Sequence, residues 1–183
     1  MCGARLPLLR AEDLASADAE LVASGNYVHR VLANSPGVAR AVRSLTVYLR
    51  RDSPLDQRLR ELVILQICYV TKAEYEYAHH VWRALDLGIA EADIAAVAIE
   101  SAGRQSHLGE LERTAMAAGR ELTENFDISD ATFDRLRQWL DAARLADLVV
   151  LISTYSAINR ICAGLKIEVE PDFMTYLKRF PIA

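Results

Sequence analysis

A chain of 183 residues is the length of one domain, or of one domain with an appended arm. Its apolar fraction of 52% supplies a real core and excludes wholesale disorder. A net charge of -4 excludes a general phosphate-binding surface, so no nucleic-acid partner is expected.

The chain opens loosely, with Gly3 and Pro7. Residues 1–24 read as an N-terminal arm and the start of a first helix, and residues 25–183 as a helical domain. Leu14, Leu21, Val22, Val28, Val31 and Leu32 space an apolar set over about residues 12–33. Ser35-Pro36 reads as an N-cap followed by a proline at the first helical position, and Val42, Leu45 and Leu49 keep an apolar face beyond it. Ser53-Pro54-Leu55-Asp56 combines an N-cap, an N1 proline and an acidic N3 residue; the helix it opens runs to about Val70. Thr71-Lys72-Ala73-Glu74 repeats the S/T-x-x-E signature, so a second helix begins almost at once and runs toward Gly88, a C-terminal stop. Two helices so tightly joined pack antiparallel or sharply crossed, as a hairpin. Further helices are expected at about 90–101, 107–124, 129–141 and 143–164, punctuated by Gly103, residues 127–130 and Gly164. Alternating runs of β-branched and aromatic residues are nearly absent, so the fold class is all-α.

Arg50, Arg51, Arg58 and Arg60 form the densest positive group, but acidic residues surround it and it reads as a solvated helix face. Cys2, Cys68 and Cys162 are far apart, with no CxxC and no zinc spacing, and read as free buried thiols in a reducing cytoplasm. Cys68 lies in the apolar run 62–70 and reads as core, where burial disfavours the thiolate. The N-terminal segment has no long apolar stretch, and residues 148–158 are too short for a membrane span. A cytoplasmic protein with no membrane partner is the expectation.

The chemistry-bearing stretch runs from Glu61 to Gly88. Glu76 and His80 lie four apart and share one helix face; Tyr75 and His79 form a second such pair, turned about 100° from the first. Glu61 and His80 lie about ten residues either side of the turn, so the hairpin can bring them together. A carboxylate orienting an imidazole, with another carboxylate nearby, supplies the parts for general acid/base proton transfer near neutral pH. Glu and His at this spacing are, on chemistry alone, more often a solvated surface pair. Glu76-x-x-His79 has the spacing of di-iron bundles, which need a second such motif; none occurs, His29 and His107 are isolated, and no metal is expected. Trp82, Leu85 and Leu87 read as core or oligomer contacts.

These residues carry a resemblance. SPLDQRLRELVIL followed by AEYEYAHHVWRALDLG is similar to the hairpin of the carboxymuconolactone decarboxylase and alkylhydroperoxidase D-like (AhpD-like) family. The peroxidase branch carries a Glu, a CxxCxxxH motif, and a Gly eight residues beyond the His. Counted back from Gly88, the His falls on His80, the second Cys on Glu76, the first on Ala73 and the Glu on Glu61. Tyr155 to Arg160, with Leu165 and Glu168, resembles the family's closing helix, and Asp130 to Phe133 a helix start; the resemblance covers roughly residues 25–170.

The resemblance implies an AhpD-like helical bundle built around the hairpin, assembled as a trimer or hexamer, with sites near subunit contacts. Ala73 and Glu76 cannot cycle a disulfide, so it implies proton chemistry on a small organic acid or lactone. His80 would donate or accept the proton, Glu61 orient and charge-balance it, and Glu76 act as second acid/base. Tyr75 and His79 are weaker candidates for substrate binding, and no cofactor is required. The alternatives are a peroxidase using Cys68 alone, and a non-catalytic helical oligomer that binds a small ligand.

Overall fold

In a computed structural model that describes residues 3–182, nine α-helices follow one another, and no strand occurs among the described residues. They are α1 Tyr27–Leu32, α2 Pro36–Val47, α3 Gln57–Val70, α4 Glu74–Asp86, α5 Glu91–Ser101, α6 Glu110–Asn125, α7 Asp130–Leu136, α8 Ala142–Leu165 and α9 Met174–Arg179. Cys2 lies outside the described residues. The expected helices after Gly88 are all present. The expected 129–141 segment ends earlier, at Leu136, where the Gln138 and Trp139 N–H groups tighten onto Arg135 and Leu136; Asp141 then caps α8 by accepting the Arg144 N–H at 2.9 Å.

Central to the bundle is α3, packed against α4, α5, α6 and α8. Every residue from Leu59 to Cys68 is buried, so this mainly apolar helix is enclosed on all sides. Each fully buried Leu or Ile here contributes about 1.5–3 kcal/mol. Its three buried polar residues are each paired. Arg60 donates to the Leu49 carbonyl at 2.7 Å, Gln66 bonds Ser101 and Arg120, and Glu61 meets His80. The arginine group is therefore a solvated face only in part: Arg50 and Arg51 are exposed. Arg60 is enclosed, and Arg58 bridges Asp93 and Glu112, each at 2.7 Å.

Local chemistry departs from expectation at several boundaries. The apolar set at 12–33 is divided between two 3-10 segments, Ala11–Asp13 and Ser16–Val22, and α1, with Gly25 at φ +77° between them. After α2 the backbone widens into a π turn, Tyr48–Asp52, closed by the Ser53 N–H on the Tyr48 carbonyl at 3.0 Å. The cap of α3 is Asp56, which accepts the Leu59 N–H at 2.9 Å; Ser53 instead ties the preceding turn to Asp147 at 2.6 Å. The Thr71 hydroxyl donates back to the Ile67 carbonyl at 2.8 Å and so finishes α3 rather than capping α4. Gly88 does stop α4: at φ +77° its N–H bonds Leu85 and the Ile89 N–H bonds Ala84, the paired pattern of a left-handed helix terminus. Gly164 stops nothing, because α8 runs past it and Lys166 takes the left-handed position at φ +51°.

The 24-residue α8 is longer than its apolar middle, and by length and mean hydropathy alone it could cross a membrane. Here it lies in the bundle, burying Leu148, Leu151, Ile152 and Tyr155 against the core. Leu85 and Leu87 pack half-buried on that core, whereas Trp82 stays exposed with its edge toward Phe173.

A Leu62→Ala variant opens a cavity in the most enclosed helix. It is expected to lose about 2–5 kcal/mol in urea unfolding, against under about 0.5 kcal/mol for the exposed Val38→Ala. Equal losses would mean that α3 is not the packing centre.

Candidate active site

The tight connection at residues 71–73 folds α4 back along α3 and brings Glu61 to His80. His80 Nδ1 lies 2.7 Å from Glu61 Oε2, a hydrogen bond between two buried side chains. Its other nitrogen, Nε2, lies 3.6 Å from Glu76 Oε2, an ion-pair separation too long for a hydrogen bond. The second Glu76 oxygen accepts a weak contact from the Cys162 thiol at 3.8 Å. Tyr155 of α8 stands edge-on to the imidazole at 4.9 Å and 87°. Glu61, Glu76 and His80 are 3%, 6% and 8% exposed, so they are no solvated pair.

Burial opposes a charge on His80, but Glu61, and Glu76 after it, outweigh that cost and raise its pKa from 6.5 to about 9. At neutral pH the site is an imidazolium between two acidic side chains. Burial pushes the Tyr155 hydroxyl and the Cys162 thiol up, and the nearby Glu76 adds to both.

A cavity of about 110 Å³ reaches Glu76 and His80, with Tyr155, His29, Thr46 and Arg50 on its other walls. It is comparable with the about 150 Å³ cavity that suffices for benzene. Glu61 does not border it and stands behind the imidazole.

Tyr75 and His79 border the same cavity, but their polar atoms are engaged elsewhere. Tyr75 donates to Glu170 Oε1 at 3.0 Å and accepts the Val28 N–H at 3.0 Å; His79 Nε2 bonds Glu170 Oε2 at 2.7 Å. Glu170 also accepts the Tyr27 N–H at 2.7 Å, and Phe173 stacks on His79 at 3.9 Å. Burial works against the Glu170 charge, yet His79 and the Tyr27 N–H hold its carboxyl below its ordinary value. The pair thus clamps the C-terminal segment and α1 onto α4. Glu76 and His79 turn to different partners despite their spacing. No group of three or more His, Cys, Asp or Glu suited to a metal occurs among the described residues.

The sequence places Arg50 in a solvated positive group and His29 as an isolated histidine, and gives neither of them, nor Tyr155 or Glu170, a role at this site. Only Tyr155 carried any signal, as part of the segment resembling a closing helix. Arg50 and Glu170 reach the site from a turn and a loop, where no periodicity marks them, and His29 from the short helix α1.

A larger open cavity of about 980 Å³ lies between the start of α4 and the end of α8, bordered by Ala73, Tyr75, Asn159 and Cys162 among others. It touches neither His80 nor Glu61.

Residues 36–121 match the sequence profile of the carboxymuconolactone decarboxylase family. No curated protein matches the chain. Among solved structures, an uncharacterised peroxidase-related protein with an AhpD core from Ralstonia eutropha JMP134 superposes with a TM-score of 0.81 at 15% identity, covering 98% of each chain. A protein of unknown function from Agrobacterium tumefaciens, described as an AhpD-type antioxidant defence protein, gives 0.68 at 22% identity, over 76% of this chain and 94% of its own. A cysteine-to-alanine variant of the debrominase Bmp8, in complex with 2,3,4-tribromopyrrole, gives 0.83 at 15% identity over 96% of each. At these identities the likeness is one of fold.

The raised His80 pKa has a consequence for stability. Folding strengthens proton binding here, so the stabilisation is complete below about pH 6.5 and is lost as the pH rises through about 9. Unfolding free energies measured across this interval should fall for the wild type and change less for Glu61→Gln. A wild-type profile that rises or stays level there would contradict the ion pair.

Proposed function

We propose an acid/base enzyme, from the premise that residues 36–121 match the carboxymuconolactone decarboxylase family profile and that the fold is AhpD-like. Its substrate is a small organic acid or lactone. The observation that carries this reading is the meeting of Glu76 and His80 at one cavity wall, with Glu61 holding the far side of the imidazole.

The division of labour follows from the geometry. Glu61 takes Nδ1–H, which fixes the ring and leaves Nε2–H directed toward Glu76 and the cavity. The 3.6 Å gap lets a substrate oxygen compete for that proton. Glu76, as carboxylate, removes a proton from carbon next to a carbonyl. The C–H electron pair moves into the carbonyl, and His80 protonates the oxygen as charge develops there. Where the carbon carries a carboxylate, cleavage of the C–C bond supplies the electron pair instead, carbon dioxide leaves, and His80 returns a proton to the product. A donor with a pKa of about 9 suits an enolate-like oxygen, whose basicity lies in the same range.

Peroxide reduction has one observation in its favour: Cys162 borders the larger cavity, and its sulfur contacts Glu76. Burial, however, pushes the thiols of both Cys68 and Cys162 up, away from the reactive thiolate. Homo-oligomerisation, as trimer or hexamer, is part of the proposal; Val38, Leu45, Tyr48 and Val150 leave apolar surface that a second copy would cover. Buried free thiols support a cytoplasmic setting.

His80→Ala should lower turnover of the best substrate from a panel of small acids and lactones by at least about a hundredfold, with an unchanged circular dichroism spectrum. Full activity in that variant would sink the assignment. In a Cys2→Ser background, neither remaining cysteine should react within minutes with a thiol reagent in the native state. One fast-reacting thiol at pH 7 would move the assignment to a peroxidase.

A further inference from the structure

We infer that Arg50 binds the carboxylate of the substrate at the wall of the His80 cavity, so that the site takes small carboxylates and discriminates against their neutral esters and lactones. This rests on the acid/base reading of the same cavity and narrows its substrate class.

Arg50 lies in the π turn Tyr48–Asp52, a widened turn of the kind often found at functional sites. The turn follows α2, whose Val42 and Thr46 border the cavity together with Arg50. Arg50 Nε donates to the Thr46 carbonyl at 3.2 Å, which steadies the side chain and leaves its terminal nitrogens to other acceptors. No carboxylate among the described residues lies within ion-pair distance of them, although Arg58 and Arg83 are both paired. A guanidinium beside a cavity with two N–H groups to spare matches a carboxylate edge-on.

The rest of the cavity orients such a ligand. Glu76 repels a carboxylate, so the anionic end of the substrate belongs beside Arg50 and its reacting carbon beside His80. Tyr155 borders the same cavity and feels both charges. Burial first raises its hydroxyl pKa, Glu61 and Glu76 raise it further, and Arg50 lowers it. Burial, and then the Arg50 charge, also keep the His29 pKa low, so that wall stays neutral beside the anchor. With a carboxylate bound, the exposed guanidinium of Arg50 gains a charged, two-pronged partner that a neutral ester cannot supply.

The test uses the full-length protein and matched pairs of probes: butyrolactone γ-carboxylate and its methyl ester, benzoate and benzamide, propionate and propionamide. Calorimetry or histidine NMR titration reads affinity. The wild type should favour the carboxylate of at least one pair by about tenfold or more. Arg50→Gln should erase that preference, Arg50→Lys should restore part of it, and the exposed neighbour variant Arg51→Gln should leave it intact. Equal affinity within every pair for the wild type, or an undiminished preference in Arg50→Gln with a native circular dichroism spectrum, overturns the anchor. His80→Ala separates the two proposals. An Arg50-dependent preference alongside undiminished His80→Ala turnover would remove the acid/base reading and keep the anchor. Lost His80→Ala turnover without any Arg50-dependent preference would do the reverse.

Discussion

A negative side chain on the most enclosed helix of the bundle sets the terms for everything around it. Glu61 lies in α3 between residues that touch only other protein, where an unpaired carboxylate would cost several kcal/mol. His80 meets that demand at 2.7 Å, a contact set by the register of α4 along α3. The bond therefore couples packing to chemistry: the hairpin that buries the apolar face of α4 is also what holds one imidazole nitrogen and frees the other. A second acid, Glu76, one turn earlier on the same face, completes the charge balance that keeps His80 protonated.

The periphery is arranged around this pair by further polar ties between distant parts of the chain. Glu170 gathers Tyr75, His79 and the start of α1, bringing the C-terminal segment across α4. Asp147 at the start of α8 holds Ser53 and Tyr48, and with them the π turn that carries Arg50. One tie positions the cavity wall that contains His29, and the other the wall that contains Arg50. Neither involves Glu61, so the walls can vary while the proton-transfer pair stays in place. Such an arrangement suits a fold shared by proteins of differing descriptions at 15–22% identity.

Several local signals were read on the wrong residue because two polar groups competed for the same task. Ser53 and Asp56 both suit an N-cap, and Asp147, 94 residues away in sequence, drew Ser53 off. Thr71 has the sequence of a cap but bonds backward to Ile67, since the connection is too short to extend both ways. Gly164 has the freedom to end α8, yet Lys166 ends it, after the helix has continued to pack Leu165 against the core.

The sequence by itself determined that the chain is helical, that a hairpin lies between Asp56 and Gly88, and that Glu61, Glu76 and His80 could meet. Each of these depends on spacing within a helix or across one short turn, where 3.6 residues per turn is a rigid ruler. Tertiary structure alone decided that the three side chains are enclosed rather than solvated, that Tyr75 and His79 answer to Glu170, and that Tyr155, His29 and Arg50 wall the cavity. Those contacts join residues roughly 20 to 130 positions apart, and the His80 pKa rises only because Glu61 and Glu76, brought to it by folding, outweigh the cost of burying its charge. Chain distance carries no information about such neighbours; packing does.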